Sequence, residues 1–142
     1  MNYKINIMVE KNQIFLSFCV FGFDDVSHQD ISNLLGIQPS KFHVKGLRIN
    51  PKVDRLAKEN GWFLDAFKSD NEDFETQINS ILDVIEKQLE NFESICKRYY
   101  CEFSCAIFIN NAEESVPWVH LGSRYNRVNA KLGIEFDLDI YC

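Results

Sequence analysis

The stretch from Asp73 to Tyr99 constrains the fold of this chain more than any other part of the sequence. Its apolar side chains recur at the three- and four-residue spacing of one helix face: Phe74, Ile78, Ile81, Leu82, Ile85, Leu89, Phe92, Ile95 and Cys96. Lys97 and Arg98 close the stretch, which suits the negative end of a helix dipole. The pattern predicts one helix of roughly 40 Å, and only a β-sheet is long enough to cover its continuous apolar stripe.

The sequence on either side of this helix contains shorter patterns, which predict the strands of the sheet and two short helices. Residues 13–23 are apolar on both strand faces, which is typical of a central strand. Ser27 and Gly36 have the positions of an N-cap and a C-cap around a short helix. Further strands are predicted at 41–46, 61–67, 101–109 and 133–141, and another short helix at 123–132. A basic connection over residues 47–60 is expected to hold a helical turn at 53–58.

The predicted order is therefore β-α-β-β-α-β-α-β. Its first six elements have the β-α-β-β-α-β order related to ferredoxin-like folds, followed by an extra α-β. We predict an α+β fold in a single domain over residues 1–142. It should be a two-layer α/β sandwich with a mainly antiparallel sheet, one long helix and two short helices, and with one sheet face comparatively open.

Charge is segregated along the chain. The net charge is −6, yet residues 41–58 hold six basic residues and only one acid, a local charge of +5. The rest of the chain holds 9 of the 15 basic and 20 of the 21 acidic residues, a charge of −11. A nucleic acid would prefer the basic patch of Lys41, Lys45, Arg48, Lys52 and Arg55. The acidic body would repel phosphates at longer range, so it favours a basic protein partner over nucleic acid.

The last predicted strand alternates between apolar and acidic residues. Glu135, Asp137 and Asp139 point to one side, and neighbouring carboxylates can bind a divalent cation or act as an acid–base pair. A metal-dependent hydrolase using these three residues, with His120, is therefore one alternative. The other interpretations are a contact surface for a partner and a polar strand face turned to water.

Neither the cysteines nor the motifs indicate catalysis. Cys96, Cys101 and Cys105 could supply metal ligands, but on a strand Cys101 and Cys105 would lie roughly 13 Å apart, too far for one ion. No nucleophile elbow, zincin, phosphate-loop or dinucleotide motif is present. We expect reduced thiols, no cofactor, no metal and no catalytic residues. No stretch has the apolar length of a secretory signal or a membrane span, so we expect a cytoplasmic protein without membrane contact.

Several short motifs resemble those of one bacterial family. They are Phe21-Gly22-Phe23-Asp24-Asp25, Leu34-Leu35-Gly36-Ile37-Gln38-Pro39, Lys45-Gly46, Trp62 and Asp137-Leu138-Asp139-Ile140-Tyr141. Together with the long helix, they resemble the family catalogued as domain of unknown function 4279. Members of this family often have a tryptophan shortly before the position of Lys45, where this chain has Phe42 and His43. The resemblance implies a small bacterial cytoplasmic α+β domain and supplies no catalytic residues.

These observations favour a non-catalytic module that binds a basic protein. By analogy with small acidic bacterial domains, it would be an immunity protein or inhibitor that blocks a toxin. Acidic side chains would steer the partner, and exposed aromatic rings would supply affinity. The residues expected in this contact are Glu113, Glu114, Trp118, Tyr125, Asp137 and Asp139. A homodimer through the open sheet face is the alternative interaction.

Overall fold

A mixed β-sheet forms the centre of the structure, a computed structural model that describes residues 10–66 and 72–142. The strands in this part of the chain are β1 (Gln13–Phe21), β2 (Lys41–His43), β3 (Gly61–Asp65), β4 (Tyr100–Phe108) and β5 (Glu135–Tyr141). They lie in the order β2-β3-β1-β4-β5, and only β4 and β5 pair in parallel among them. The predicted α+β fold with a mainly antiparallel sheet is confirmed, and β1 is central.

The helices of the described residues are α1 (His28–Leu35), α2 (Phe74–Lys87), α3 (Leu89–Arg98) and α4 (Ser123–Leu132). Ser27 caps α1 as predicted: its hydroxyl accepts the Asp30 N–H at 3.0 Å, and the Asp30 carboxylate accepts the Ser27 N–H at 2.8 Å. Gly36 ends α1 in the left-handed conformation, with φ of 72°. The capping box and the C-terminal glycine lie within the ten residues from Ser27 to Gly36, which explains why the local sequence indicates both ends of the helix.

The prediction of one long helix over 73–99 is wrong in one respect, because the helix breaks at Gln88. The backbone of Gln88 has φ −135° and ψ 41°, and separates α2 from α3. Both helices contact α4, but α2 also packs on β1, whereas α3 also contacts α1 and β4. No Pro or Gly marks the break, and the apolar spacing continues through it. Because of the break, the apolar side chains of α2 and those of α3 can pack against different neighbouring elements.

The basic connection also differs from its prediction. Residues 53–58 form no helical turn; instead the chain doubles back, with a bridge between Arg48 and Leu56. The Ile49 N–H donates to the Arg55 carbonyl at 2.9 Å, and the Ala57 N–H to the Leu47 carbonyl at 2.8 Å. We call residues 44–60 the basic loop. The strand predicted for 61–67 is found as β3, and Phe67 lies outside the described residues.

The hydrophobic core lies on one face of the sheet. Alternate residues of β1 (Ile14, Leu16, Phe18 and Val20) meet buried side chains from all the helices named above, among them Ile31, Leu82, Phe92 and Val128. Burial of a side chain of this size contributes about 1.5–3 kcal/mol relative to exposure. The helices thus form one layer and the sheet the other. None of the described helices has the length and apolar character needed to cross a membrane.

Candidate functional site

The face of the sheet opposite the helices carries the candidate site, and we call it the open face. Because side chains alternate along a strand, the residues on this face are those that alternate with the core residues of each strand. On the three adjacent strands β1, β4 and β5 they are Phe15, Ser17, Cys19, Phe21, Tyr100, Glu102, Ser104, Ala106, Phe108, Glu135, Asp137, Asp139 and Tyr141. Tyr100 and Tyr141 are 53% and 51% exposed. The open face therefore presents aromatic and acidic side chains.

Four carboxylates share one part of the open face, and we call them the acidic strip: Glu102, Glu135, Asp137 and Asp139. The β4–β5 register sets Glu102 directly beside Glu135, Ser104 beside Asp137 and Ala106 beside Asp139. Neighbouring strands lie about 4.8 Å apart, so the carboxylates of the strip repel one another across and along the strands. The acidic strip concentrates negative charge at the β4–β5 side of the sheet.

The pKa values of two side chains reflect this charge. Burial raises the pKa of Glu102 above its usual value, and the charges of Asp137 and Asp139 raise it further. The Tyr100 hydroxyl donates a hydrogen bond of 3.0 Å to Glu102, which works in the opposite direction. Desolvation and the nearby carboxylates, Glu102 first, raise the pKa of Tyr100 to about 12. Both shifts thus arise from burial first, and the neighbouring carboxylates add to them.

No cation balances the acidic strip within residues 10–66 and 72–142. The ion pairs found there join Arg48 to Asp54, Lys97 to Glu93, Arg98 to Asp25, and Arg124 to Asp83 and Glu86. Lys41 lies on β2, where its Nζ sits 5.2 Å from the centre of the Phe63 ring. Adjacent carboxylates without a counter-ion are unfavourable in the isolated protein, and a cationic side chain from a partner would relieve their repulsion.

Aromatic groups flank the acidic strip at both ends. At one end the rings of Phe63 and Tyr100 lie 5.3 Å and 6.3 Å from that of Phe21. A Cβ on Gly61 would lie 2.8 Å from the Phe63 ring, so glycine is required for that ring to lie across β3. At the other end Phe108 stacks on Tyr141 at 4.9 Å. Rings of this kind supply much of the affinity at protein interfaces.

The structure separates the six residues expected to contact a partner. Asp137 and Asp139 belong to the acidic strip, whereas Glu113 and Glu114 lie in the turn after β4. The Glu114 carboxylate accepts the Asn12 N–H at 3.0 Å and so holds that turn to the start of β1.

The two aromatic residues of the set also differ from each other. Trp118 is 66% exposed, as expected, and borders a cleft with His120 and Arg124. Tyr125 is only 7% exposed and packs against Phe103 and Phe136, so the expectation that it is exposed is wrong. α4 turns Tyr125 toward the sheet, which its spacing to Val128 and Leu132 indicates.

Sequence reasoning missed Glu102 and Tyr100. The alternation of β4, with Cys101, Phe103 and Cys105 in the core, already assigns them to the polar side. Their position beside β5 depends on strand order, which no local pattern encodes.

The basic patch lies at the β2 edge of the sheet, and the acidic strip lies at the β5 edge. Lys41 lies on β2, and Lys45, Arg48, Lys52 and Arg55 lie in the basic loop. Arg48 is paired with Asp54 at 2.8 Å. Burial, followed by the charge of Lys41, lowers the pKa of His43 at the end of β2. The patch and the acidic strip are thus separated, with β3 and β1 between them.

Metal-ligating residues are dispersed in the described ranges. Neither Glu135, Asp137 and Asp139 nor the cysteines form a group of three side chains that could hold an ion. All five cysteines are free thiols. Cys101 and Cys105 lie in the core, and a hydrogen bond with Cys101 lowers the pKa of Cys96. The geometry therefore gives no direct support to the metal-dependent alternative.

Comparison with known proteins identifies a family model that covers most of the chain. The model of the family described as Domain of unknown function (DUF4279) matches residues 12–142. No curated protein and no solved structure matches the chain.

Proposed function

The chain belongs to the DUF4279 family, whose description states no function, and we propose that this member is a non-catalytic module that binds a basic protein through its open face. The observation that carries the proposal is the acidic strip, which has aromatic groups at both ends and no counter-ion among the described residues. A partner that brings lysine or arginine to the strip would gain charge-assisted contacts there.

The acidic side chains and the aromatic rings of the open face would act at different stages of binding. The strip and the remaining acidic body attract a cationic partner over distances of about a Debye length, which raises the association rate. Phe15, Phe21 and Tyr141 then supply apolar area that loses water once the partner has docked. The partner that this mechanism suits is a positively charged bacterial toxin, which the module would block as an immunity protein or inhibitor. The free thiols suit a reducing cytoplasm, where we place the complex.

The proposal can be tested by affinity capture from a lysate of the native organism. The immobilised protein is eluted over a salt gradient, and the captured proteins are identified by mass spectrometry and then purified. We expect a basic protein at moderate salt. Recovery of nucleic acid alone, or only of further copies of this chain, would contradict the proposal.

A pair of variants then locates the contact. Asp137→Lys/Asp139→Lys should slow association of the purified partner by about tenfold or more, because it reverses charge inside the strip. Glu75→Lys/Glu90→Lys makes the same change in net charge on the helices α2 and α3, and should slow association much less. Equal effects of the two variants would mean that net charge, and not the open face, governs binding.

A further inference from the structure

The outer edge of β5 is the last strand edge on the acidic side of the sheet. Within the described residues β5 pairs only with β4, over seven residues from Glu135 to Tyr141. The strand contains no Pro or Lys, and its charged side chains are three carboxylates, which disfavour pairing with an acidic strand but favour pairing with a basic one. An edge of this length can accept another strand.

The backbone direction shows which groups the edge offers. The Tyr141 carbonyl accepts the Ile109 N–H at 2.8 Å, so Tyr141 directs its backbone groups toward β4. These groups alternate in direction along a strand, and Asp137 and Asp139 therefore also face β4. The N–H and C=O groups of Phe136, Leu138 and Ile140 then point away from the sheet. They form a row of donors and acceptors along the edge.

The side chains of β5 give this edge two different sides. Leu138 and Ile140 lie on the helix side of the sheet and are nevertheless 44% and 59% exposed. Glu135, Asp137 and Asp139 lie on the open face. A strand whose edge served only to repel other strands would not need exposed Leu and Ile side chains beside its carboxylates.

We infer that the partner docks by adding an extended segment to the edge of β5, as a further strand of the sheet. This inference rests on the proposed function and specifies its binding mode. The segment would alternate basic and apolar residues, because its basic side chains must lie beside the acidic strip and its apolar ones beside Leu138 and Ile140. A second copy of β5 fits less well: a twofold pairing centred on Leu138 would place Asp137 of one copy against Asp139 of the other.

The first experiment uses a capped heptapeptide of alternating lysine and valine as the probe. The peptide is titrated into the full-length protein while amide hydrogen exchange is followed by NMR. At saturation, exchange at Phe136, Leu138 and Ile140 should slow by about tenfold or more, because the added strand accepts or shields these N–H groups. A control peptide with glutamate in place of lysine should bind at least about tenfold more weakly. Binding without protection of these three amides would overturn the inference, as would protection that rises with protein concentration alone.

A backbone substitution provides the second test. Leu138→Pro removes an outward N–H that makes no bond to β4, and Leu138→Ala is the matched control for the lost side chain. We expect the proline variant to bind the peptide at least about tenfold more weakly than the alanine variant. Far-UV circular dichroism checks that both variants fold, and the exchange measurement on the unmodified protein does not depend on them.

The two proposals fail in different ways. If Asp137→Lys/Asp139→Lys abolishes peptide binding while Leu138→Pro equals Leu138→Ala, the open face binds the partner but strand addition is wrong. If charge reversal and proline both leave binding unchanged, the proposed function and the inference are both wrong.

Discussion

At the scale of single residues, the buried amide of Gln77 completes the hydrogen bonding of β1. β3 pairs with β1 only over residues 17–21. Beyond that point the Gln77 Oε1 accepts the Leu16 N–H at 2.9 Å, and its Nε2 donates to the Ile14 carbonyl at 2.7 Å. One side chain on α2 thereby replaces the missing part of a neighbouring strand.

Replacing this amide should be costly. We predict that Gln77→Leu lowers the free energy of unfolding by about 2–4 kcal/mol, because two buried backbone groups lose their partners while the volume is kept. Urea denaturation measures the change. Gln29→Leu, at an exposed position of α1, should change stability by less than about 0.5 kcal/mol. Similar effects of the two substitutions would show that the Gln77 hydrogen bonds contribute little.

Glu102 makes stability depend on pH. Its pKa in the folded protein lies above its ordinary value of 4.5, so the folded state holds this proton more tightly than the unfolded state. The contribution of Glu102 to stability therefore falls as pH rises from about 4.5 through the folded-state pKa. Glu102→Gln should be more stable than the unmodified protein at pH 7, and the difference should vanish near pH 4. Thermal melts at both pH values measure this, and a variant that is less stable at pH 7 would contradict it.

At the scale of elements, the break at Gln88 and the apolar stripe act together. α2 and α3 bury the same side chains that a single straight helix would present, but α3 packs against α1 and β4, whereas α2 packs on β1. A Cβ added at Gly36, which ends α1, would lie 3.6 Å from the Gln88 Nε2, so the end of α1 lies beside the break. The break is thus fixed by packing between helices and not by a helix-breaking residue.

The stripe itself is open to a direct test. Leu82 is 1% exposed on α2, so Leu82→Asp would bury an unpaired charge in the core. We predict a loss of at least about 4 kcal/mol, or complete unfolding. Val53→Asp adds the same carboxylate at an exposed position of the basic loop and should leave the melting temperature within a few degrees. A Leu82→Asp protein that melts like the unmodified one would refute the packing of α2 on the sheet.

At the scale of the whole molecule, charge is distributed unevenly across the sheet. The basic loop and Lys41 lie on the β2 side, and the acidic strip lies on the β4–β5 side. The separation gives the molecule a charge asymmetry that would orient the proposed basic partner toward β5 before contact.

Steering of this kind has a characteristic dependence on salt. We predict that the association rate of the basic partner falls by about tenfold or more between low and physiological ionic strength, while its dissociation rate changes much less. Stopped-flow measurements at several salt concentrations separate the two rates. In Asp137→Lys/Asp139→Lys the dependence should be clearly weaker. An association rate that is independent of salt would exclude a steering role for the strip.

The local elements could be predicted from the sequence alone. The capping box of Ser27, the left-handed Gly36, the α4 bounds at Ser123 and Leu132, and the alternation of β5 all depend on residues close together in the chain. Such features are set by hydrogen bonds and periodicities within one element. They were sufficient to predict an α+β sandwich with a covered and an open sheet face.

The way in which these elements pack together depends on contacts between distant parts of the chain. Glu102 and Glu135 are 33 residues apart in sequence, and they become neighbours because β4 and β5 pair in parallel through the α4 crossover. The break at Gln88 and the burial of Tyr125 likewise follow from what packs against each helix. Strand order and register are fixed by burial of the shared core, to which distant segments contribute at once. For this reason the sequence predicted only the β5 residues of the acidic strip, Glu135, Asp137 and Asp139, and not Glu102 on β4.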